Sequence, residues 1–219
     1  MSRNALLSSL LLSLLAVLAA PAADEVDAVV RGVERHYNRV STLEAEFVQR
    51  HSLGATTIVE SGRVYFRKGG RMRWEYESPE EKLFLADGEF AYLYVPQEKQ
   101  VRRQSIKQSP DWQAAFALLL GRVDLSRILG RIELVRIHDL DTPARMQLRG
   151  RARSDKQPFS EIWFDLNESY QVLRIEIRQR DGGLMEFHFR KWRENRPLSP
   201  ELFRLSVPPG TAWVDEGAP

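Results

Sequence analysis

The first pattern in the chain is an uncharged, leucine-rich run near the N-terminus. Arg3 precedes it, the run extends from Ala5 to Ala20, and the small residues Ala20-Pro21-Ala22 follow. A basic start, a short apolar stretch and a small-residue cleavage pattern are together typical of a secretory signal peptide. The run is too short to span a bilayer comfortably. We therefore expect residues 1–22 to be a signal peptide and residues 23–219 to form a single exported domain.

Beyond this run, apolar residues recur with helical spacing. Between Asp24 and Val40 they lie at i, i+3, i+4 and i+7, at Val26, Val29, Val30, Val33, Tyr37 and Val40. This spacing places them on one side of a helix. Asp24, Glu25 and Asp27 lie at its start, where the helix dipole favours acidic side chains. The pattern predicts an amphipathic helix over residues 24–40.

From residue 43 the spacing changes to an alternation of apolar and polar residues, which is typical of half-buried strands. Turn signals at Lys68-Gly69-Gly70 and Asp87-Gly88 separate some of these segments. The acidic residues Glu44, Glu46, Glu75 and Glu77 fall on the polar side, which we interpret as a solvated face. Strands are predicted at residues 43–48, 61–67, 71–76, 83–86 and 90–95.

A helical segment interrupts the strands. Ser109-Pro110-Asp111 provides an N-cap, a proline at the first helical position and an acidic first turn. The helix body is predicted at Trp112–Leu120, and Asp124–Leu129 adds a short turn. Further strand patterns follow, with the turn Asp181-Gly182-Gly183 among them. Their apolar positions are Ile132, Leu134, Ile137, Met146, Leu148, Ile162, Phe164, Val172, Ile175, Ile177, Met185, Phe187, Phe189 and Trp192, with a last segment at Phe203–Val207.

The order of these elements predicts an α+β fold. A helix, several strands, short helices and more strands indicate an antiparallel meander in one sheet. A long, strongly twisted antiparallel sheet tends to curl. Curled around a helix, it becomes an unclosed antiparallel β-barrel with an apolar interior, covered by the N-terminal helix and the short helices.

Composition and motifs argue against several functional classes. The formal net charge is only +2, without the clustered basic charge of a nucleic-acid-binding surface. The chain has no cysteine and therefore no disulfide framework. No HExxH, GxSxG or GxxxxGK[ST] motif occurs, and the four histidines lack ligand spacing. We expect no enzyme activity, metal or cofactor. Arg149, Arg151 and Arg153 alternate along one segment, which we interpret as a charged strand edge.

Several segments, in their order, resemble the outer-membrane lipoprotein carrier (LolA) family. They are Ser61–Lys68, Met72–Tyr76, Ala86–Gly88, Tyr92–Pro96 and Phe203–Gly210, and the similarity runs from about Val26 to Val214. The resemblance implies a hydrophobic cavity in an unclosed barrel, with helices as a lid. It also implies a monomeric periplasmic carrier that receives lipoproteins from an inner-membrane ABC transporter. The carrier holds their acyl chains and delivers them to an outer-membrane receptor lipoprotein.

The resemblance also indicates which residues form the site. Alternation alone favours an ordinary core over a cavity, and the resemblance to the family reverses this preference. The family's latch arginine, which holds the lid shut, aligns best with Lys68, next to Arg67. Lysine lacks the planar fork of arginine, so the latch would be looser. The apolar helix at residues 114–120 fits a buried core helix and a lid over the cavity equally well. The predicted cavity lining is Leu43, Ala45, Phe47, Val64, Phe66, Met72, Trp74, Tyr76, Leu83, Leu85, Tyr92, Tyr94, Phe116 and Leu119.

Other functions of the same fold remain open at this stage. One is a carrier of a different lipid, and another is a lipid-sensing regulatory module. The regulator of this kind carries a second domain, for which this chain looks too short. A receptor lipoprotein of the same shape would need a cysteine at the start of the mature chain, and there is none.

Overall fold

One long sheet and an N-terminal helix dominate the computed structural model, which describes residues 22–106, 124–139 and 141–216. Helix α1 spans Ala22–Arg39, α2 spans Leu125–Ile128, and a short 3-10 helix spans Pro200–Phe203. The strands are β1 Thr42–Leu53, β2 Thr56–Arg67, β3 Arg71–Ser78, β4 Lys82–Ala86, β5 Phe90–Val95, β6 Gln100–Ser105, β7 Leu129–Arg136, β8 Met146–Ala152, β9 Phe159–Leu166, β10 Val172–Gln179, β11 Leu184–Glu194 and β12 Ala212–Glu216.

The twelve strands form one curled, unclosed sheet in the order β12-β6-β5-β4-β3-β2-β1-β11-β10-β9-β8-β7. The predicted α+β architecture, an unclosed barrel with an N-terminal helix, is confirmed. Neighbouring strands are antiparallel, with the exception of β12, which runs parallel to β6. Strand β1 lies in the middle because it pairs with both β2 and β11. None of the helices in the described ranges has the length and hydrophobicity required to cross a membrane.

Three details differ from the sequence prediction. Strands β6 and β12 were not predicted, and β6 carries a single apolar residue, Val101, which gives no alternation. The β1–β2 hairpin extends beyond the predicted strand ends to Leu53 and Thr56, because its outer half still pairs fully. The segment Phe203–Val207 is not a strand. Its first residue ends the 3-10 helix, whose N-cap Ser199 accepts a hydrogen bond from the backbone N–H of Glu201.

Helix α1 packs against one side of the sheet, which we call the inner face. The centre of its predicted apolar stripe is buried, with Val29, Val33 and Tyr37 between 0 and 3 % exposed, whereas Val26 and Val30 are half-buried. The backbone N–H of Val172 in β10 donates to the hydroxyl oxygen of Tyr37 over 2.8 Å. A Cβ at Gly32 would lie 2.5 Å from the ring of Tyr170, so a larger residue at this position would have to displace that ring. The helix is therefore fixed to the sheet by apolar packing and by one buried hydrogen bond.

Stability at alkaline pH should depend on Tyr37. Burial raises the pKa of its hydroxyl far above the ordinary value, and the hydrogen bond from Val172 offsets this only in part. The unfolded chain therefore loses the Tyr37 proton at a lower pH than the folded chain. The stability contributed by the neutral hydroxyl is complete below about pH 10 and falls above it by about 1.4 kcal/mol per pH unit.

The variant Tyr37→Phe separates the contribution of the Val172 hydrogen bond from the effect of tyrosine ionisation at high pH. At pH 7 it should lower the free energy of unfolding by about 1–3 kcal/mol, because the buried N–H of Val172 loses its acceptor. Above pH 10 it should lose stability less steeply than the wild type. Urea unfolding between pH 7 and pH 11 measures both effects, with the half-buried Tyr94→Phe as control. Identical alkaline slopes in the two variants would contradict the assignment.

The opposite, outer face of β8–β11 carries a network of charged side chains. Arg174 contacts the carboxylates of Asp165 at 3.2 Å and Glu186 at 2.7 Å, and it also pairs with Glu176. The side chain of Glu176 is only 4 % exposed and also pairs with Arg178 at 2.7 Å. Burial opposes the charge of Arg174, but the three carboxylates outweigh it and raise the pKa of the guanidinium. The guanidinium and carboxylate groups of this network therefore neutralise one another at a place where water has little access to them.

The alternating arginines of β8 belong to this outer face. The prediction of a strand edge is wrong, because β8 pairs with β7 on one side and β9 on the other. Arg149 lies over one side of the Trp163 ring at 4.2 Å, and Arg178 lies at 4.1 Å from the same ring. Arg149 of β8 and Arg178 of β10 therefore cover part of the outer face by stacking on the same ring, whereas Arg151 pairs with Glu161.

Candidate functional site

Five aromatic side chains meet at the centre of the inner face, and we call them the aromatic floor. Trp74 packs edge-on to Phe47 at a centroid distance of 4.8 Å and to Phe66 at 5.7 Å. It also contacts Phe187 at 5.3 Å and Phe189 at 6.2 Å. The indole N–H of Trp74 donates to the sulfur of Met72 at 3.3 Å, so the polar atom of this ring is satisfied within the face.

Strand register explains why these rings meet. Phe47 pairs directly with Phe189 across β1 and β11. Opposite residues of an antiparallel pair point to the same face, so β1, β2, β3 and β11 each contribute to the floor. Helix α1 belongs to the same buried core through Val29 and Val33.

Most of the predicted lining residues lie on this face. They are at most 2 % exposed, and they pair in register: Leu43, Ala45, Phe47, Val64, Phe66, Met72 and Trp74. Tyr76 lies on the same face, opposite Gly62, and is half-buried. The structure thus brings eight of the predicted residues together. That they bind lipid remains a prediction.

Leu83, Leu85, Tyr92 and Tyr94 lie on the outer face, which corrects their predicted position. Leu83 pairs with Glu75 and Leu85 with Arg73, and both of these β3 residues point away from Trp74. Tyr92 and Tyr94 pair in turn with Leu85 and Leu83. The reason is that β4 is apolar on both faces, so alternation does not indicate which set faces the helix. Phe84, opposite Trp74, is the inner residue that the prediction missed.

The C-terminal segment packs against the outer side of β3. Arg73 donates to the backbone carbonyl of Leu202 at 3.2 Å, and Phe203 is 3 % exposed. The hydroxyl of Tyr92 donates to Asp87 at 3.0 Å, and burial together with this carboxylate raises the pKa of Tyr92 to about 12. Leu85 and Phe203 are therefore buried on the outer side, whereas Leu83, Tyr92 and Tyr94 are only half-buried.

Phe187 and Phe189 complete the floor but were not among the predicted site residues. Their alternation predicts a strand, yet nothing near them in the sequence indicates that β11 lies beside β1. Only the pairing of Phe47 with Phe189 places them at the site. The predicted lining residues Phe116 and Leu119, and the helix at 114–120, lie outside the described residues.

A set of polar side chains borders the floor, and we call it the polar collar: Gln49, Glu60, Tyr76 and Lys82. The hydroxyl of Tyr76 donates to the side-chain oxygen of Gln49 at 2.8 Å. Lys82 forms an ion pair with Glu60, and its ammonium lies 4.4 Å from the centroid of the Tyr76 ring. Burial, and the nearby charge of Glu60, raise the pKa of Tyr76 well above its ordinary value. Beyond the collar, Leu53 and Ile58 are each 50 % exposed.

The two predicted latch residues differ in their contacts. The ammonium of Lys68 donates to the backbone carbonyl of Asn38, in the last turn of α1, at 2.5 Å. Its backbone N–H also donates to the carbonyl of Ser41 at 3.0 Å. A cation at the C-terminal end of a helix is favoured by the dipole. Arg67 lies next to it and pairs with Thr42 and Arg71. A latch role for either residue remains a prediction.

Removing the Lys68 ammonium should loosen the end of α1. In Lys68→Met, amide exchange in residues 36–40 should be severalfold faster than in the wild type. The free energy of unfolding should fall by less than about 1 kcal/mol, because the bond is exposed. Hydrogen-exchange mass spectrometry measures the first effect, with Lys156→Met in a loop as control. Unchanged exchange in this segment would show that Lys68 does not hold the helix.

Comparison with known proteins agrees with this fold. Residues 38–206 match the family described as outer membrane lipoprotein carrier protein LolA. An outer-membrane lipoprotein carrier protein from Azotobacter vinelandii is 32 % identical over 209 residues, covering 94 % of this chain and 97 % of its own. One from Nitrosospira multiformis is 26 % identical over 177 residues, covering 80 % and 83 %.

One solved structure has a similar fold. An uncharacterized conserved protein from Thermus thermophilus superposes with a TM-score of 0.53 at 15 % identity, covering 88 % of this chain and 99 % of its own. At this identity the likeness concerns the fold alone. The family match spans most of the chain and confirms the resemblance seen in the sequence. The chain belongs to the outer-membrane lipoprotein carrier (LolA) family.

Proposed function

We propose that this protein is a periplasmic carrier that binds the acyl chains of lipoproteins and takes them from the inner to the outer membrane. The observation that carries the proposal is the aromatic floor on the concave side of an unclosed sheet, in a chain of the carrier family. Residues 1–22 would direct export, and residues 23–219 would act as one domain. Binding and release require no bond chemistry.

The floor can bind hydrocarbon only if something else leaves it. Its side chains are buried in one core with the apolar stripe of α1, including Val29 and Val33. Acyl chains would replace these protein contacts, so part of the burial lost from the helix is recovered from lipid. Each buried methylene contributes about 0.8 kcal/mol. Because of this exchange, the net free energy of binding is smaller than the free energy gained from burying the hydrocarbon. The cargo can therefore be released.

The partners follow from this role. An ABC transporter in the inner membrane would supply the lipoprotein, and a receptor lipoprotein in the outer membrane would accept it. Several long acyl chains do not cross water unaided on a useful timescale, because their transfer from a bilayer exposes all of their methylenes. A carrier that shields them supplies the missing step.

Depletion of the protein in its own organism tests the proposal. Membranes are fractionated after depletion, and lipoproteins should accumulate in the inner membrane. Expression of the wild-type chain should restore them to the outer membrane. Normal lipoprotein localisation after depletion would overturn the proposal. In that case, the lipid that co-purifies with the protein would test the alternative of a carrier for another lipid, or a lipid-sensing module.

A further inference from the structure

Along β1, the inner face passes from buried apolar residues to a polar residue and then to an exposed end. Phe47 in the aromatic floor is 1 % exposed, Gln49 in the polar collar is 9 % exposed, and Leu53 at the end of the strand is 50 % exposed. All three side chains point to the same side, since they are separated by even numbers of residues. The collar therefore lies between a buried apolar surface and the exposed end of the same face.

The four collar side chains are linked to one another. Gln49 pairs with Glu60 across β1 and β2, and Tyr76 pairs with Lys82 across β3 and β4. The Tyr76 hydroxyl bonds to Gln49, and Lys82 bonds to Glu60, so contacts join all four strands. Because the side-chain oxygen of Gln49 already accepts from Tyr76, its amide nitrogen is oriented away from that bond and can donate elsewhere.

A gain in folding stability does not by itself explain why an ion pair lies among these four side chains. The side chains of Lys82 and Glu60 are only 26 % and 13 % exposed, whereas the outer pair Lys191–Glu46 is 71 % and 36 % exposed. Moving an ion pair out of water costs about as much as its attraction returns, and apolar residues of similar size often stabilise a protein equally well. A largely buried ion pair beside an aromatic surface is better explained by a ligand that needs polar partners there.

We propose that the polar collar binds the polar junction of the cargo, where acyl chains join ester and amide groups. The inference rests on the proposed function and specifies its ligand chemistry. Ester carbonyls accept hydrogen bonds and lose those to water when the chains are buried. The Lys82 ammonium and the Gln49 amide nitrogen are donors that replace them, the Tyr76 hydroxyl holds Gln49 in the orientation that leaves this nitrogen free, and the Glu60 carboxylate can accept an amide N–H.

This arrangement also orients the cargo. With the junction at the collar, the hydrocarbon extends over Phe47 and Trp74, and the polypeptide of the lipoprotein leaves past Leu53 and Ile58. A ligand with chains but no polar junction would contact the floor and gain nothing from the collar. The two kinds of ligand therefore distinguish the collar from the floor.

The test compares a synthetic triacylated lipopeptide with diphenylhexatriene, a hydrocarbon without hydrogen-bonding groups. Tyr76→Phe and Lys82→Met should each weaken lipopeptide binding by about tenfold. Diphenylhexatriene binding should change by less than about twofold, because the floor is intact. Lys191→Met is the matched control, since it removes a lysine from the exposed outer ion pair, and it should leave both affinities unchanged.

The outcomes separate the two proposals. If the wild-type protein binds neither ligand, the proposed function fails and the collar inference fails with it. If the wild type binds both ligands but the collar variants weaken both equally, or neither, the collar is structural and only this inference is overturned. Thermal unfolding of each variant checks the fold. Should Lys82→Met not fold, Tyr76→Phe decides the question, because it removes a single oxygen atom.

Discussion

Replacing Trp74 by alanine is expected to lower the free energy of unfolding by about 3–5 kcal/mol. The side chain is 2 % exposed and is surrounded by Phe47, Phe66, Phe187 and Phe189, which come from three different strands. These strands are held in register, so the rings cannot close the space that the indole leaves. Urea unfolding at neutral pH measures the loss.

Trp213→Ala is the matched control for this variant. Trp213 lies on the edge strand β12, is 52 % exposed and makes an edge-on contact with Tyr92 at 6.3 Å. Its removal should cost less than about 1 kcal/mol. Equal losses in the two variants would mean that the inner face is loosely packed, and the aromatic floor would then not be the centre of the core.

Replacing Arg174 by methionine should cost about 3 kcal/mol at neutral pH. Methionine retains much of the apolar stem, but the variant leaves Asp165, Glu176 and Glu186 without their shared cation. The side chain of Glu176 is 4 % exposed, so its charge cannot be compensated by water. Arg178 still pairs with Glu176, which keeps the loss at the low end of the range for buried pairs.

Two further variants test this explanation. Glu176→Gln in the Arg174→Met background should recover more than about 1 kcal/mol, because it removes the buried charge that the first change left unpaired. Arg63→Met is the control, since Arg63 pairs with Glu77 where both side chains are 53 % exposed. If Arg174→Met cost no more than Arg63→Met, the network would be an ordinary surface feature.

Local features of the fold were predictable because their causes are local. The stripe of α1 follows from helical spacing, and its residues Val29, Val33 and Tyr37 are buried. The turn at Asp87-Gly88 also follows directly from its local sequence. Gly88 has a φ of 105°, which favours glycine, and the Asp87 carboxylate accepts the backbone N–H groups of Glu89 and Phe90 at 2.8 Å each. From such patterns we predicted the helix, most of the strands and the curled architecture.

The composition of the site was only half predictable, because it depends on which strands meet. The face of β4 is ambiguous, since Leu83, Phe84, Leu85 and Ala86 are all apolar, and only register puts Phe84 inside. Phe187 and Phe189 reach the floor through the pairing of β11 with β1, which no local pattern encodes. The polar collar was missed because Gln49 and Glu60 lie in the part of the hairpin that was not predicted as strand.

The position of β1 beside β11 also determines how the chain can fold. Strands β1 to β6, and likewise β7 to β11, each pair with their neighbours in sequence, so each group can assemble by short-range loop closure. Joining Leu43 to Glu194 requires a much longer loop to close, because about two thirds of the polypeptide separates them. Until that contact forms, β1 and β11 each present an open edge that can pair with another molecule. A newly synthesised chain is therefore most prone to aggregate in the interval before its two halves meet.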